Sequence, residues 1–274
     1  MQIPAFIKWL GGKRRLIDQI APRLPDNIDN YFEPFLGGGS MFFYVKQTYE
    51  PKTCILSDIN EDLINTFITV RDNPKGLLRS LKYLASNDSA EFYYKKRRLF
   101  NSHTITGTAR SATFIYLTKS CFNGVYRINK KGEFNVPYAY HKNREIYDTN
   151  DIIFASQLLQ GVEIMKQDYR QILQYIKAKD LVYLDPCYDP LKRTSFVHYT
   201  KDRFSPEDRQ KLFTFVNDLK DKGADVVLSN NDIPEVRKLY KRSGYKVRYV
   251  ETARCVNVNS NGRGRIRELL ITNY

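Results

Sequence analysis

Short apolar runs recur along the 274-residue chain, and a turn or a helix-like stretch follows most of them. Short runs rich in valine, isoleucine, leucine and aromatic residues are typical of buried strands. The pattern predicts strands at 30–34, 53–57, 162–166, 181–184 and 224–229, and a closing antiparallel pair at 246–250 and 267–272, joined by a turn at 259–265. Residues 40–45 are predicted to form a helix. Strands that alternate with helices favour an α/β sheet.

The spacing of these runs predicts an insertion. Asp58 ends the second strand and Asp168 follows the third, 110 residues later. A strand–helix–strand unit needs only about 30 residues, so roughly 80 residues are inserted. Apolar positions make the insertion mostly helical: Leu77, Leu78, Leu81, Leu84, Phe114, Ile115 and Leu117. We therefore predict an α/β domain formed by 1–61 and 145–274, and a helical domain, 62–144, facing its cleft.

A glycine-rich turn, Gly37-Gly38-Gly39, follows the first predicted strand. Ligands of open α/β sheets bind beyond the carboxyl ends of the strands, where glycines let the backbone approach a cofactor. Asp58 follows Gly37 by 21 residues, the distance at which an acidic residue reaches ribose hydroxyls. The turn departs from the dinucleotide pattern because Phe42 stands at its sixth position. These features favour a nucleotide-type site without a nicotinamide fingerprint.

Asp185-Pro186-Cys187-Tyr188 closes the strand at 181–184. Asp-Pro turns are common after buried strands, so a structural turn is one interpretation. The other is chemical. An aromatic amine is a poor nucleophile because its lone pair is delocalised, and acceptors at Asp185 and the Pro186 carbonyl would direct that lone pair toward an electrophile. Tyr188 could stack on the ring, which is worth on the order of 1–3 kcal/mol per base.

Another glycine-containing segment does not match the phosphate-loop pattern, and two single residues each allow two interpretations. Gly11-Gly12-Lys13 lacks the Lys-Ser/Thr and the upstream glycine of a phosphate loop. Trp9, the only tryptophan, could fill the core or form one wall of a ligand pocket. Asp168 could cap a helix, the commoner role, or accept a hydrogen bond from the exocyclic amine of a cofactor.

The charge of the chain points to nucleic acid. The formal net charge is +14, and residues 92–144 contribute +10 of it, with eleven of the 36 Phe and Tyr residues. The basic residues there are Lys95, Lys96, Arg97, Arg98, Arg110, Lys119, Arg127, Lys130, Lys131, Lys142 and Arg144, against one acid, Glu133. Basic side chains interleaved with aromatics suit phosphates and unstacked bases. A solvated basic face with core aromatics is the plainer alternative.

Composition narrows the remaining classes of protein. No apolar run approaches the roughly 20 residues of a membrane span. The four cysteines contain no C-x-x-C pair, and only three histidines are present, so we expect reduced thiols of a cytoplasmic protein and no metal site. We expect a monomer because no exposed apolar heptad appears.

Several segments together resemble the Dam-type DNA adenine-N6 methyltransferases, and the resemblance runs through nearly the whole chain. The first segments are Lys8-Trp9-Leu10-Gly11-Gly12-Lys13, residues 31–39 around Glu33-Pro34-Phe35, and Asp58-Ile59-Asn60 with Leu63-Ile64. The others are residues 121–129 and 132–138, which resemble the target-recognition segment of the family, and Asp185-Pro186-Cys187-Tyr188, which resembles its Asp-Pro-Pro-Tyr motif.

This resemblance implies a Rossmann-like, S-adenosylmethionine-dependent methyltransferase sheet with an inserted DNA-recognition domain. The protein would be encoded by a bacterium, an archaeon or a phage, and would methylate a flipped adenine in double-stranded DNA, in a GATC-like site or a longer one beginning GAT. The implied cofactor contacts are Trp9, Lys13, Gly37, Gly39, Asp58, Asp168 and Asp185. Asp185, Pro186 and Tyr188 would hold the target adenine. The implied DNA contacts are Lys8, Phe122, Asn123, Arg127, Asn129 and Tyr138.

Two departures from the family pattern carry specific consequences. Cys187 replaces the second proline of the motif, from which we expect a looser turn and retained activity. Tyr140 replaces a basic residue common in relatives, which affects a phosphate contact or the outer part of the recognised site. The alternatives are a DNA-binding regulator whose catalysis lapsed with Cys187, an RNA adenine methyltransferase and a nicotinamide oxidoreductase. The resemblance matches Lys8 and Arg127 to positions that read guanine in the groove of DNA, which disfavours RNA. The imperfect glycine turn with the basic insertion disfavours the oxidoreductase.

Overall fold

The computed structural model describes residues 1–140, 144–186, 205–253 and 265–274. Within them the chain forms a mixed α/β fold around a seven-stranded sheet. The strands are β1 (Asn30–Glu33), β2 (Thr53–Asp58), β3 (Glu163–Lys166), β4 (Leu181–Leu184), β5 (Asp225–Asn231), β6 (Lys246–Ala253) and β7 (Arg265–Thr272). Each strand lies within a few residues of its predicted position, so all the strand predictions are confirmed.

The order of the strands in the sheet is β3-β2-β1-β4-β5-β7-β6. The first five are parallel, whereas β7 runs antiparallel to both β5 and β6, which confirms the predicted closing pair. Chain order and sheet order reverse between β1 and β4, and parallel sheets open a ligand crevice beyond such a reversal. The predicted turn at 259–265 lies almost entirely outside the described residues.

Helices connect these strands. Their bounds are α1 (Ile17–Ile20), α2 (Ser40–Tyr49), α3 (Glu61–Asp72), α4 (Pro74–Ser86), α5 (Ala90–Asn101), α6 (Gly107–Ser120), α7 (Thr149–Leu158), α8 (Pro206–Asp221) and α9 (Pro234–Arg242). Several begin at side chains that satisfy unpaired backbone N–H groups. Asn60 accepts from Leu63 N at 3.0 Å to start α3, and Ser205 forms a capping box with Asp208 at the start of α8.

The two faces of the sheet bury separate cores. One core packs β5 and β7 against α8 and α9, and Phe215, Val216 and Tyr240 lie at its centre. The larger core covers the opposite face and includes Phe43, Phe67 and Ile152. It continues without a break into the predicted insertion, where Leu81 and Phe114 belong to the same buried cluster. Helices α4 and α6 pack on α3, which itself contacts β2 and β3, and α5 packs on α6, while the division into two domains stays a prediction.

A short hairpin follows α6 and completes the insertion. Isolated bridges pair Cys121 with Tyr138 and Ile128 with Phe134. Phe122 N donates to the Pro137 carbonyl at 2.8 Å, which closes the open end of this hairpin. We refer to residues 121–138 as the recognition hairpin. Among the described helices, none is long and apolar enough to cross a membrane.

Candidate active site

Three carboxyl groups mark the carboxyl ends of neighbouring strands. Glu33 is the last residue of β1, Asp58 is the last residue of β2, and Asp185 directly follows β4. Because β2 and β4 flank β1 in parallel, these groups lie at one edge of the sheet. Pro186, beside Asp185, is buried. The predicted nucleotide site and the predicted amine site are therefore adjacent.

The glycine turn is tied to Asp58. Gly37 N donates to Asp58 Oδ2 at 3.2 Å, and Leu36 N donates to the Ser57 carbonyl at 3.0 Å. Gly37 (φ +48°) and Gly39 (φ +67°) both have the left-handed conformation that favours glycine. A Cβ added at Gly39 would lie 3.1 Å from the Phe67 ring. The turn therefore needs glycine for conformation as well as for space.

Trp9 packs against this turn. A Cβ added at Gly37 would lie 3.0 Å from the Cδ1 atom of the indole, so the ring covers the turn closely. Its other neighbours are Tyr126, stacked at a centroid distance of 5.3 Å, and Phe114 at 6.2 Å. Trp9 is half-buried and packs against the larger core, and its role as one wall of a ligand pocket stays a prediction.

Lys13 lies beneath Asp185. Its ammonium is 2.7 Å from Asp185 Oδ1, 3.7 Å from Glu268 Oε2 and 2.8 Å from the Gly11 carbonyl oxygen. The Lys13 side chain is 4% exposed, and those of Asp185 and Glu268 are 18% and 14% exposed, so the three charges are largely withdrawn from water. Lys13 therefore supplies the counter-charge for two carboxylates, and its direct contact with a cofactor stays a prediction.

Glu33 is buried between the other carboxyl groups. The Tyr31 hydroxyl donates to Glu33 Oε2 at 2.7 Å. Burial is the main reason why the pKa of Glu33 rises to about 8, and the negative charges of Asp185 and Asp58 add to this effect. Burial also raises the pKa of Asp58, against hydrogen bonds from the backbone of Asn60 and Gly37. Glu33 is thus uncharged at neutral pH and limits the negative charge at this edge.

This raised pKa makes stability depend on pH. Between the ordinary pKa of a glutamate and about 8, the folded protein keeps the Glu33 proton while the unfolded chain releases it. The contribution of Glu33 to the free energy of unfolding is therefore greatest in acid. It falls as pH rises, by up to about 1.4 kcal/mol per pH unit. We expect the stability advantage of the parent over Glu33→Gln to shrink between pH 5 and 8 in urea unfolding. A difference in unfolding free energy between the two proteins that stays constant across this pH range would contradict the prediction. Glu91→Gln, at an exposed position, is the control.

Asp168 has the helix-capping role. Its side chain accepts from Arg170 N at 3.0 Å and completes a capping box with Gln171 at the 3₁₀ turn Tyr169–Gln174. Both carboxylate oxygens also face the Arg170 guanidinium, whose hydrogen bonds hold the pKa of Asp168 below its ordinary value. The capping interpretation is confirmed, whereas a contact with a cofactor amine stays a prediction.

The sequence reasoning missed three residues of this edge. Glu268 lies in a predicted strand, and Glu33 lies both in a predicted strand and in a segment that resembles the family, but neither pattern shows which side chains meet at the sheet edge. Ile59 is likewise part of a segment that resembles the family. It follows Asp58 and is 57% exposed, which is unusual for an isoleucine beside a buried strand end. Its position directly after a predicted ligand residue was the available signal.

The recognition hairpin contacts the N-terminal segment. Gly124 has a left-handed conformation, and a Cβ there would collide with the Cδ and Cε atoms of Lys8. Lys8 therefore lies directly on the hairpin while remaining exposed. Phe122 is 51% exposed at the start of the same turn, and Asn123 is left-handed (φ 57°). The structure thus brings together Lys8, Phe122 and Asn123, three of the predicted DNA contacts.

The other predicted DNA contacts have partners within the protein. Arg127 Nε donates to Asn135 Oδ1 at 2.7 Å, which holds its guanidinium across the hairpin. Asn129 forms the turn, since its Oδ1 accepts from the backbone of Lys131 and Glu133 at 2.9 and 3.0 Å. The Tyr138 hydroxyl donates to Asp88 at 3.1 Å. Asn129 and Tyr138 therefore shape the hairpin, and their contact with DNA stays a prediction.

Part of the basic excess in the insertion is structural. Arg110 pairs with Asp62 at 2.5 Å, and Arg144 pairs with Asp88 at 3.3 Å and covers the Tyr138 ring. Arg97 and Lys119 donate to the backbone carbonyls of Val136 and Ala5. Other cations of the stretch are exposed: Lys95, Arg98, Lys130 and Lys131. Part of the charge is thus used inside the protein, and binding of phosphates by the exposed group stays a prediction.

Some predicted features fall outside the described residues, namely Cys187 and Tyr188, together with Cys255 and Lys142. Cys54 and Cys121 are buried, free thiols. Tyr140 is 77% exposed and packs edge-on against Tyr138. Among the residues that the structure describes, no group of three or more His, Cys, Asp or Glu side chains could hold a metal ion.

Comparisons with known proteins agree with this geometry. The model of the D12 class N6 adenine-specific DNA methyltransferases matches residues 9–255. The type II methyltransferase M.MjaIII of Methanocaldococcus jannaschii is 40% identical, with 100% of each chain covered. The DNA adenine methylase of Haemophilus influenzae is 32% identical over 97% of this chain and 92% of the relative. The DNA N-6-adenine-methyltransferase of Escherichia phage P1 is 30% identical over 97% of this chain and 35% of that longer protein.

Proposed function

The chain belongs to the D12 class of N6 adenine-specific DNA methyltransferases, and on that premise we propose that it transfers the methyl group of S-adenosylmethionine to N6 of an adenine flipped out of duplex DNA. The observation that carries the proposal is the position of Asp185 on the buried Lys13, at the same sheet edge as the glycine turn and Asp58. One group can thus face the amine while the other two hold the methyl donor.

The residues at this edge fit S-adenosylmethionine. Gly37 and Gly39 leave space for its methionine end, and Trp9 would form a wall beside it. Asp58 keeps the geometry to accept from ribose hydroxyls. The exposed Ile59 side chain offers an apolar surface for the adenine ring. Among the described residues of this edge, carboxylates outnumber the one buried lysine, which suits a ligand that carries positive charge.

S-adenosylmethionine, when bound, supplies an electrophilic methyl group on a sulfonium centre. Asp185 and the Pro186 carbonyl would each accept one N–H of the target amine, which orients the nitrogen lone pair toward that methyl group. The N–C bond would form as the C–S bond breaks, and the electron pair of the C–S bond would stay on sulfur. N6 then releases one proton, either to the Asp185 carboxylate or to water. Lys13 keeps Asp185 in place throughout.

Base flipping accounts for access to the amine, because N6 of adenine cannot be reached inside a stacked duplex. Phe122, half-exposed at the start of the turn Phe122–Gly124, is suited to fill the space beside the extruded base. Lys8 and Arg127 carry the donors that bind guanine O6 and N7. Lys8 lies on the recognition hairpin and Arg127 belongs to it, so one element holds both side chains. This arrangement supports a GATC-like site.

Arg127→Ala should relax the choice of site. Loss of a bidentate contact to guanine costs about 1–3 kcal/mol of discrimination, since only the correct base offers both acceptors. We expect kcat/KM to fall on the preferred duplex and to change little on duplexes altered at that guanine. Lys130→Ala, at an exposed position in the same hairpin, is the control and should weaken all duplexes alike. An equal loss on every duplex for Arg127→Ala would mark Arg127 as a phosphate contact instead.

The proposed reaction is tested with S-adenosylmethionine labelled in the methyl group. Unmethylated duplex DNA and RNA of matching sequence are offered separately. The proposal predicts label on DNA, with none on RNA. Label on RNA alone would replace the DNA reaction by an RNA reaction, and tight DNA binding without any label would support the regulator whose catalysis has lapsed.

A further inference from the structure

Trp9 joins two functional regions that are distant in sequence. The Cδ1 and Nε1 atoms of its indole lie against the glycine turn, where a Cβ at Gly37 would be 3.0 and 3.1 Å from them. Tyr126 of the recognition hairpin stacks on the indole at 5.3 Å with an interplanar angle of 23°. Any change in the position of the indole on the turn must therefore be accommodated by Tyr126.

A second connection runs from Tyr126 back to the same turn. The Asn60 side chain lies beside the Tyr126 hydroxyl. Asn60 N donates to Asp58 Oδ1 at 3.0 Å, and Asp58 Oδ2 accepts from Gly37 N at 3.2 Å. The contacts thus form a closed ring from Gly37 through Trp9, Tyr126, Asn60 and Asp58 back to Gly37.

The two predicted guanine readers are sequence neighbours of this ring. Lys8 precedes Trp9 and lies on Gly124, while Arg127 follows Tyr126 and is held by Asn135. Tyr126 is only 6% exposed and also contacts Phe114 and Phe134, at 5.5 and 5.8 Å. A buried aromatic ring packed on several sides moves with its neighbours, because interiors are close-packed and leave little free volume.

We propose that Tyr126 is a positioning residue that couples occupation of the cofactor turn to the placement of Lys8 and Arg127 on DNA. This inference rests on the proposed function. A cofactor bound at Gly37 and Asp58 fixes two members of this ring of contacts, and Tyr126 transmits that constraint to the recognition hairpin. Target DNA, by ordering Lys8 and Arg127, favours the same arrangement of the turn. The coupling is therefore reciprocal, as linkage requires.

The test measures binding of a GATC duplex with and without S-adenosylhomocysteine, and binding of S-adenosylhomocysteine with and without the duplex. In the parent we expect each ligand to tighten the other by the same factor, within the usual range of about 5–150-fold. Tyr126→Met fills the space with a flexible apolar chain but removes the stack. This variant should bind each ligand alone, with a coupling factor within about twofold of one. Tyr126→Phe keeps the stack and should restore most of the coupling.

Tyr245→Met is the matched control. Tyr245 is 5% exposed, its hydroxyl bonds Asn217 at 2.7 Å, and it packs on Tyr240 at 5.3 Å, in the core on the opposite face of the sheet. It should keep the coupling of the parent. Undiminished coupling in Tyr126→Met would overturn the inference. Failure of the parent to bind S-adenosylhomocysteine would instead refute the proposed cofactor.

The parent protein offers a test that does not depend on folding of a variant. Trp9 is the only tryptophan in the chain, so tryptophan fluorescence reports directly on this ring of contacts. We expect its emission to change on addition of S-adenosylhomocysteine and again on addition of a GATC duplex, more than with a duplex of scrambled sequence. Emission that responds to S-adenosylhomocysteine but is identical with both duplexes would overturn the inference.

Discussion

Asp185→Ala is expected to lower methyl transfer at least about 100-fold, the usual cost of removing a preorganised polar group that stabilises a transition state. DNA affinity should change little, because the proposed role of this carboxylate is to bind the amine rather than phosphates. Single-turnover methyl transfer and duplex binding measured on the same preparation separate the two effects. Asp185→Asn, which keeps the shape but loses the charge, should be nearly as impaired.

Asp72→Ala is the control for this prediction. Asp72 is a 54% exposed carboxylate that pairs with its neighbour Arg71, away from the sheet edge. We expect its turnover to match that of the parent. Unchanged turnover in Asp185→Ala would remove Asp185 from the mechanism, and with it the assignment of the site.

Lys13→Met is expected to cost about 3 kcal/mol or more of unfolding free energy. Removing one partner of a buried ion pair leaves an uncompensated charge, and here two carboxylates, Asp185 and Glu268, would remain. Urea unfolding measures the loss. Activity should fall as well, because Asp185 loses the ammonium that fixes its orientation.

A second substitution tests whether the unpaired carboxylates cause this loss of stability. Glu268→Gln in the Lys13→Met background removes one of the two unpaired charges, so we expect part of the lost stability to return. Lys52→Met is the matched control, since Lys52 pairs with Asp29 at the surface, where both side chains are more than 70% exposed. If Lys13→Met and Lys52→Met lose equal stability, the buried pair has no special role.

The strands and the glycine turn could be predicted from the sequence because their signals are local. Each short apolar run shows its own period, and Asp58 and Asp185 stand directly at strand ends. The parallel sheet then brings these ends together without further information, as the register of β1 with β2 and β4 confirms. The uneven spacing between Asp58 and Asp168 indicated the insertion for the same reason.

Side-chain partners could not be predicted in this way. Lys13 and Asp185 are separated by 172 positions, and no local pattern relates a lysine after a glycine pair to the end of β4. The sequence of the insertion shows its net charge, but it does not show that Arg110 pairs with Asp62 or that Arg144 pairs with Asp88. Charge counts report composition, whereas burial and pairing depend on tertiary packing. The resemblance to a family supplied roles for residues, and the structure supplied their neighbours.

The most direct test of the proposed reaction is to map the methyl groups that the protein adds to unmethylated genomic DNA by sequencing. We expect N6-methyladenine confined to one short motif that contains GAT, on both strands where the motif is palindromic. Methyl groups on cytosine, or on adenines without a shared motif, would contradict the proposed roles of Asp185 and of the recognition hairpin.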